Sequence, residues 1–291
     1  MPSITLIGPG AIGATVAAWL CQNPGNEVSL AVRTPFDSLQ ITTPERVICA
    51  RPRVLTEPAQ AVPVDWVLVA TKAYDSASAA TWFATGCDAR TRVAVIQNGV
   101  EHVERFESYL PRERIVPAMI DVPATRTAPG KVVQRGPIHI AVPAGESGAA
   151  FVELFAGLGL DVAQSADFRS AAWKKLCLNS AGAVCAALLK PAGIVHHDGV
   201  AQVMRAIVRE CIAVGRAEGA ALEDSITDGI IERMRCGSRD GENSMLADRR
   251  AGRPMEIDAR NDVIVRLGRK HGIATPMNAL LVALLEAAQN Y

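Results

Sequence analysis

The segment ITLIGPGAIGATVAAWL, residues 4–20, decides the fold. Ile4-Thr5-Leu6-Ile7 is a short β-rich run, Gly8-Pro9-Gly10-Ala11-Ile12-Gly13 a glycine-spaced turn, and Ala14 to Leu20 a helix-forming stretch. G-x-G-x-x-G carries meaning in this strand-to-helix setting. The first glycine permits a tight turn, the second lets the backbone approach a pyrophosphate, and the third lets the helix pack on the strand. The amides and positive dipole end of the helix then face the phosphates. A plain Gly-rich connection is the alternative, and the flanking strand and helix favour dinucleotide binding.

Working outward, Glu27-Val28-Ser29-Leu30-Ala31-Val32-Arg33 reads as the second strand. It ends in an arginine where an NAD enzyme would place an acidic residue against the adenosine ribose. An arginine accommodates a 2′-phosphate, so NADP(H) is the expected cofactor unless Arg33 is simply a solvated strand-end charge. The apolar runs 66–72 and 92–99 fit a parallel sheet covered on both faces, and each closes on polar residues. Ligands of such sheets sit outside the strands' carboxyl ends, which makes Lys72 and Asn98 candidate cofactor-site residues; either could instead be a loop-facing polar group. Further β-like runs between 112 and 142, a helix near 148–158 and a strand near 161–164 complete this half. From about residue 167 only helical periodicity continues. The expected fold is α/β: an N-terminal Rossmann-type dinucleotide-binding domain over 1–166, followed by an all-helical domain over 167–291.

Thirty basic and thirty acidic side chains in 291 residues, with no Lys/Arg block, argue against nucleic acid or a membrane surface and for a small-molecule partner. Seven scattered cysteines without metal-ligand spacing read as reduced thiols, and no metal is expected. The N-terminus lacks the basic region of a signal peptide and no run is long enough for a membrane helix, which places the chain in the cytoplasm. The apolar segment Ala279–Leu285 suits core or interface, leaving a homodimer open.

AAWKKLCLNSAGAV, residues 171–184, is the polar puzzle of the helical half. Lys175 and Asn179 fall four residues apart on one helix face, while Lys174 is turned about 100° away. A partly desolvated lysine has a lowered pKa and suits proton transfer near neutrality; the alternative is a stem lying along the helix with its head in water. Asn179, if buried, needs a structural or a ligand partner. Pro254 is placed to open a helix, which would set Glu256 in its first turn, a position where carboxylates are common anyway.

In order along the chain, G-x-G-A-x-G at 8–13, Arg33, T-K at 71–72, Q-N-G at 97–99, W-K-K-L-x-x-N at 173–179, S-M at 244–245 and R-P-x-E-I-D at 253–258 resemble the ketopantoate reductase family over nearly the whole chain. The resemblance implies NADPH-dependent reduction of a 2-oxo acid, 2-dehydropantoate (ketopantoate), to the 2-hydroxy acid. It makes Lys175 the general acid and Glu256 the group that positions its ammonium. It also implies that Asn98 lies beside the nicotinamide ribose and orients the lysine, and that Asn179 and Ser244 hold the substrate. Gly8, Pro9, Gly10, Ala11, Ile12, Gly13, Arg33, Lys72 and Asn98 then form the NADP(H) site. Three positions depart from the family pattern: Ala183 and Gly193 stand where ketopantoate reductases tend to carry asparagines or polar contacts, and Asp262 follows Asn261 in place of glycine. Ala183 suggests a roomier, more apolar pocket and keeps open a reductase of a branched or aromatic 2-oxo acid; an alternative of another class is a non-catalytic NADPH-binding regulator, against which the intact Lys175–Glu256 pair argues.

Overall fold

The computed structural model describes residues 1–289. The chain divides into two compact units, one of residues 1–97 and 101–168, the other of Asn98–Val100 with Arg169 onward.

The first unit is built on six parallel strands: β1 (Ser3–Ile7), β2 (Glu27–Ala31), β3 (Arg53–Leu55), β4 (Trp66–Val69), β5 (Arg92–Val95) and β6 (Ile115–Pro117). Their order is β3-β2-β1-β4-β5-β6. Ile4 pairs with Val28 on one side and Trp66 on the other, so the chain reverses its direction of travel across the sheet between β1 and β4. Such a reversal opens a crevice at the carboxyl ends of the two central strands. The central residues Leu6, Leu30, Leu68 and Val95 are fully buried, which explains apolar runs without alternation.

The strands are shorter than the apolar runs. Strand β2 stops at Ala31, β4 at Val69 and β5 at Val95, so Arg33, Thr71, Lys72 and Gln97 stand in the loops beyond the strand ends. Helix α1 (Ala11–Leu20) covers β1 and packs on a second, four-stranded sheet made of Leu39–Thr42, Val47–Ala50, Ala124–Ala128 and Lys131–Gln134. The first two form an antiparallel hairpin, Leu39 pairing with Ala50, that lies outside the strands expected from the sequence. Trp19 joins α1 to this sheet: its indole N–H donates to Gln134 Oε1 at 3.0 Å, and the Arg46 guanidinium lies 5.2 Å from its ring centroid. A three-stranded sheet (Met119–Asp121, His139–Pro143, Asp161–Ser165) closes the unit beside the helix Glu146–Glu153.

In the second unit the described residues form no strand. Its long helices are α2 (Phe168–Leu188), α3 (Asp198–Ala217), α4 (Ile226–Cys236), α5 (Ser244–Arg250), α6 (Val263–His271) and α7 (Pro276–Gln289). Trp173 of α2 packs on Gly215 of α3, where an added Cβ would come within 2.9 Å of the indole. Burying a side chain of this size contributes roughly 1.5–3 kcal/mol, and it fixes the rotation of α2. Helix α2 ends because Leu189 turns left-handed at φ 52°, Lys190 N closes onto Cys185 O at 3.1 Å, and Pro191 cannot continue it. His197 caps α3, its Nδ1 accepting from Val200 N at 3.4 Å, and His196 ends the preceding 3₁₀ turn Ala192–His196. In α7, Leu281, Val282 and Leu285 are core, while Leu280 and Leu284 are more than half exposed.

Pro254 does not open a helix. Residues 253–256 are non-helical, the next helix starts at Ile257, and Asp258–Asp262 winds as a π-turn before α6. Glu256 therefore precedes the helix; it is not in its first turn. Asp262 accepts from Arg266 Nε at 2.9 Å, an ordinary i,i+4 pair.

The seven cysteines are free thiols. Among the described residues no helix is long and apolar enough to cross a membrane, and no group of three or more His, Cys, Asp or Glu is arranged to hold a metal.

Candidate active site

The glycine turn at the end of β1 uses its three glycines for three reasons. Gly8 has φ +83°, and a Cβ there would lie 2.6 Å from Thr71 Cγ2. At Gly13 a Cβ would lie 2.4 Å from Gly8 O, so the third glycine is required by helix-on-strand packing. Gly10 is different: nothing lies within 4 Å of its missing Cβ. No contact within the chain demands glycine there, whereas close approach of a pyrophosphate does. Gly10 caps α1 with no side-chain hydrogen bond, and the first turn holds no acidic residue. Ala11 and Ile12 are partly exposed, so the positive end of the helix is open to an anion, and these residues fit a dinucleotide.

The loop after β4 is held by Gln97. Its amide donates to Thr71 Oγ1 at 3.0 Å and to the Lys72 carbonyl at 3.3 Å, and its Oε1 lies 3.1 Å from the Ser76 hydroxyl. His102 Nε2 in turn meets Gln97 O at 3.0 Å. Arg33 is exposed and paired with Asp75 at 2.7 Å. An exposed pair of this kind is worth about 0–1 kcal/mol, so little opposes the guanidinium turning to a phosphate.

In the second unit, α2 presents Lys174 to solvent, and Lys175 and Asn179 are half-buried between the buried pairs Trp173/Leu176 and Cys177/Ser180. Glu256 is only 3% exposed, and Asn98 Nδ2 donates to its Oε2 at 3.0 Å. Two residues 158 positions apart in sequence are thereby in direct contact.

Ser244 opens α5, and Asn243 fixes where it sits. The Asn243 side chain accepts from Leu246 N at 3.0 Å and donates to Gly182 O of α2 at 2.8 Å. Gly182 makes room for this, since a Cβ there would lie 3.2 Å from the amide nitrogen. The buried Arg260 donates through Nη2 to Ser244 Oγ at 2.6 Å. Burial lowers the Arg260 pKa from its ordinary value, with the Glu256 and Asp248 carboxylates opposing.

Residues 4–147 match the family described as ketopantoate reductase PanE/ApbA, and residues 167–289 match its C-terminal part. The chain belongs to the ketopantoate reductase family. It is 55% identical to the 2-dehydropantoate 2-reductase of Caulobacter vibrioides over 99% of both chains. The fold superimposes on a PanE/ApbA family ketopantoate reductase from Ralstonia eutropha (TM-score 0.90, 30% identity, 99% and 98% covered). It also superimposes on the 2-dehydropantoate 2-reductase of Geobacter metallireducens (TM-score 0.91, 26% identity, 98% and 99% covered).

Within this reductase family two of the three departures, Ala183 and Gly193, have structural causes. Ala183 is fully buried in the apolar core of the second unit and does not face an open space, so it gives no support to a roomier pocket. Gly193 lies against the 237–241 loop: its N–H donates to Arg239 O at 2.8 Å, and an added Cβ would fall 2.8 Å from that same oxygen. Glycine is a packing requirement there. Four residues that make these contacts are absent from the candidate residues named from the sequence: Gln97, Asp75, Asn243 and Arg260. Only Gln97 stood in a recognised motif.

Proposed function

We propose that the protein reduces 2-dehydropantoate to pantoate with NADPH. Gly8, Pro9, Gly10, Ala11, Ile12, Gly13, Arg33, Lys72 and Asn98 would hold the cofactor, with Arg33 on the 2′-phosphate. Bound there, the nicotinamide supplies a hydride. Reduction of a ketone builds negative charge on the carbonyl oxygen, and a positioned ammonium both stabilises that charge and delivers the proton. Lys175 has this role. Glu256, a buried carboxylate, favours the charged form of a nearby ammonium and helps orient it. Asn98, hydrogen-bonded to Glu256, keeps that carboxylate in one rotamer. Asn179, one turn from Lys175, and Ser244 hold the substrate.

The observation that carries this reading is the Asn98–Glu256 contact, because it ties the Q-N-G and R-P-x-E-I-D segments into one polar cluster on a chain of this family. The test follows NADPH and NADH absorbance with ketopantoate and with branched and aromatic 2-oxo acids. The expected result is the highest kcat/KM with ketopantoate and NADPH. A higher value with another acid would move the assignment to that substrate, and tight NADPH binding with no oxo acid turned over would make the protein a non-catalytic binder.

A further inference from the structure

Arg260 is an expensive residue to bury. It is 3% exposed at the centre of the π-turn, its Nε has no hydrogen-bond partner, and its Nη2 is spent on the hydroxyl of Ser244, which is itself exposed. Insertions of this kind into helices occur often at functional sites. Of the two carboxylates that face it, Asp248 already has Arg253 at 2.9 Å and Glu256 already accepts from Asn98. Ion pairing accounts for the buried charge but not for the placing of a guanidinium Nη2 on the Ser244 hydroxyl.

The direction of the hydrogen bond does. A guanidinium has donors and no acceptor, whereas a hydroxyl has one proton and two lone pairs. Ser244 Oγ must accept from Arg260, which leaves the serine proton free to be donated elsewhere, and a donor bonded to a cation is a stronger one. The positive charge beneath the hydroxyl also offsets the repulsion that Glu256 would exert on an incoming anion.

We propose that Arg260 is a positioning residue acting through Ser244: it holds the hydroxyl so that its proton points to the carboxylate of the 2-oxo acid. This rests on the function proposed above. It uses only the carboxylate, so it holds for whichever 2-oxo acid is the substrate.

The test is a double-mutant cycle with Arg260→Lys and Ser244→Ala, each assayed with the wild type's best 2-oxo acid. Lysine keeps the charge and loses the planar fork. Arg260→Lys should raise KM for the oxo acid at least tenfold, with kcat within about threefold and NADPH affinity unchanged, and it should have no further effect in the Ser244→Ala background. Additive losses, or a fall in kcat at constant KM, would overturn the assignment. If Arg260→Lys does not fold, Arg260→Gln, which loses the charge, takes its place in the same cycle with the same expected result, and an oxo-acid KM unchanged in Ser244→Ala refutes the proposal. Wild-type protein that reduces no 2-oxo acid would instead remove the functional reading itself.

Discussion

The glycine turn of the first unit and the polar cluster of the second meet their chemistry by opposite means. Around Gly8–Gly13 the chain offers backbone: three positions without side chains and a helix end with no side-chain cap, with the exposed guanidinium of Arg33 as the charged group. Around Glu256 it offers side chains locked by hydrogen bonds, Asn98 on the Glu256 carboxylate, Arg260 on the Ser244 hydroxyl, Asn243 on the Gly182 backbone carbonyl. A pyrophosphate needs close approach and many N–H donors, which backbone supplies without freezing rotamers. Proton delivery needs one group at one place, and a half-buried lysine is held there only if its neighbours are held first.

Substitutions should therefore separate binding from chemistry. The largest effect is expected for Lys175→Ala: kcat should fall by roughly 10²–10⁴, the usual contribution of a general acid, while NADPH affinity measured by fluorescence titration stays at the wild-type value. Next is Arg33→Asp. Loss of a charge-assisted contact worth about 1.5–3 kcal/mol, with a carboxylate put in its place, should raise the NADPH KM roughly ten- to hundredfold and leave the NADH KM within a few fold. Equal effects on the two cofactors would take Arg33 away from the 2′-phosphate.

The glycines then sharpen the contrast within the first unit. Gly13→Ala forces a Cβ onto Gly8 O and should destabilise by about 1–3 kcal/mol in denaturant unfolding. Gly10→Ala meets nothing, so its midpoint should not move while its NADPH affinity drops. The smallest effect is expected for Asn243→Ala. Loss of the α5 cap costs about 1 kcal/mol, and it should appear both as a lower Tm and as a raised KM for the oxo acid, because Ser244 is the next residue.

The same contrast explains what the sequence reveals. Residues 4–20 are legible because strand, turn and helix lie in one local run, with glycines whose absence of side chain is itself the signal. Lys175 and Asn179 are legible because helical spacing alone places them on one face and Lys174 on another. Glu256 is found by motif but misplaced by local rules: a proline at 254 reads as a helix start, and only the fold shows 253–256 non-helical with the helix beginning at Ile257. Gln97, Asn243 and Arg260 act on partners that local patterns do not pair with them, as Asn243 does on a carbonyl 61 positions away. The Ala183 and Gly193 departures suggest altered specificity in sequence, yet in the structure each is explained by packing.

The most direct test of the central claim follows the hydrogen itself. With NADPH deuterated at C4 of the nicotinamide and ketopantoate as substrate, NMR of the product should show deuterium on C2 of pantoate, the cofactor giving the carbon-bound hydrogen and an exchangeable proton going to oxygen. Pantoate carrying solvent hydrogen at C2, or consumption of the cofactor without pantoate, would contradict the assignment.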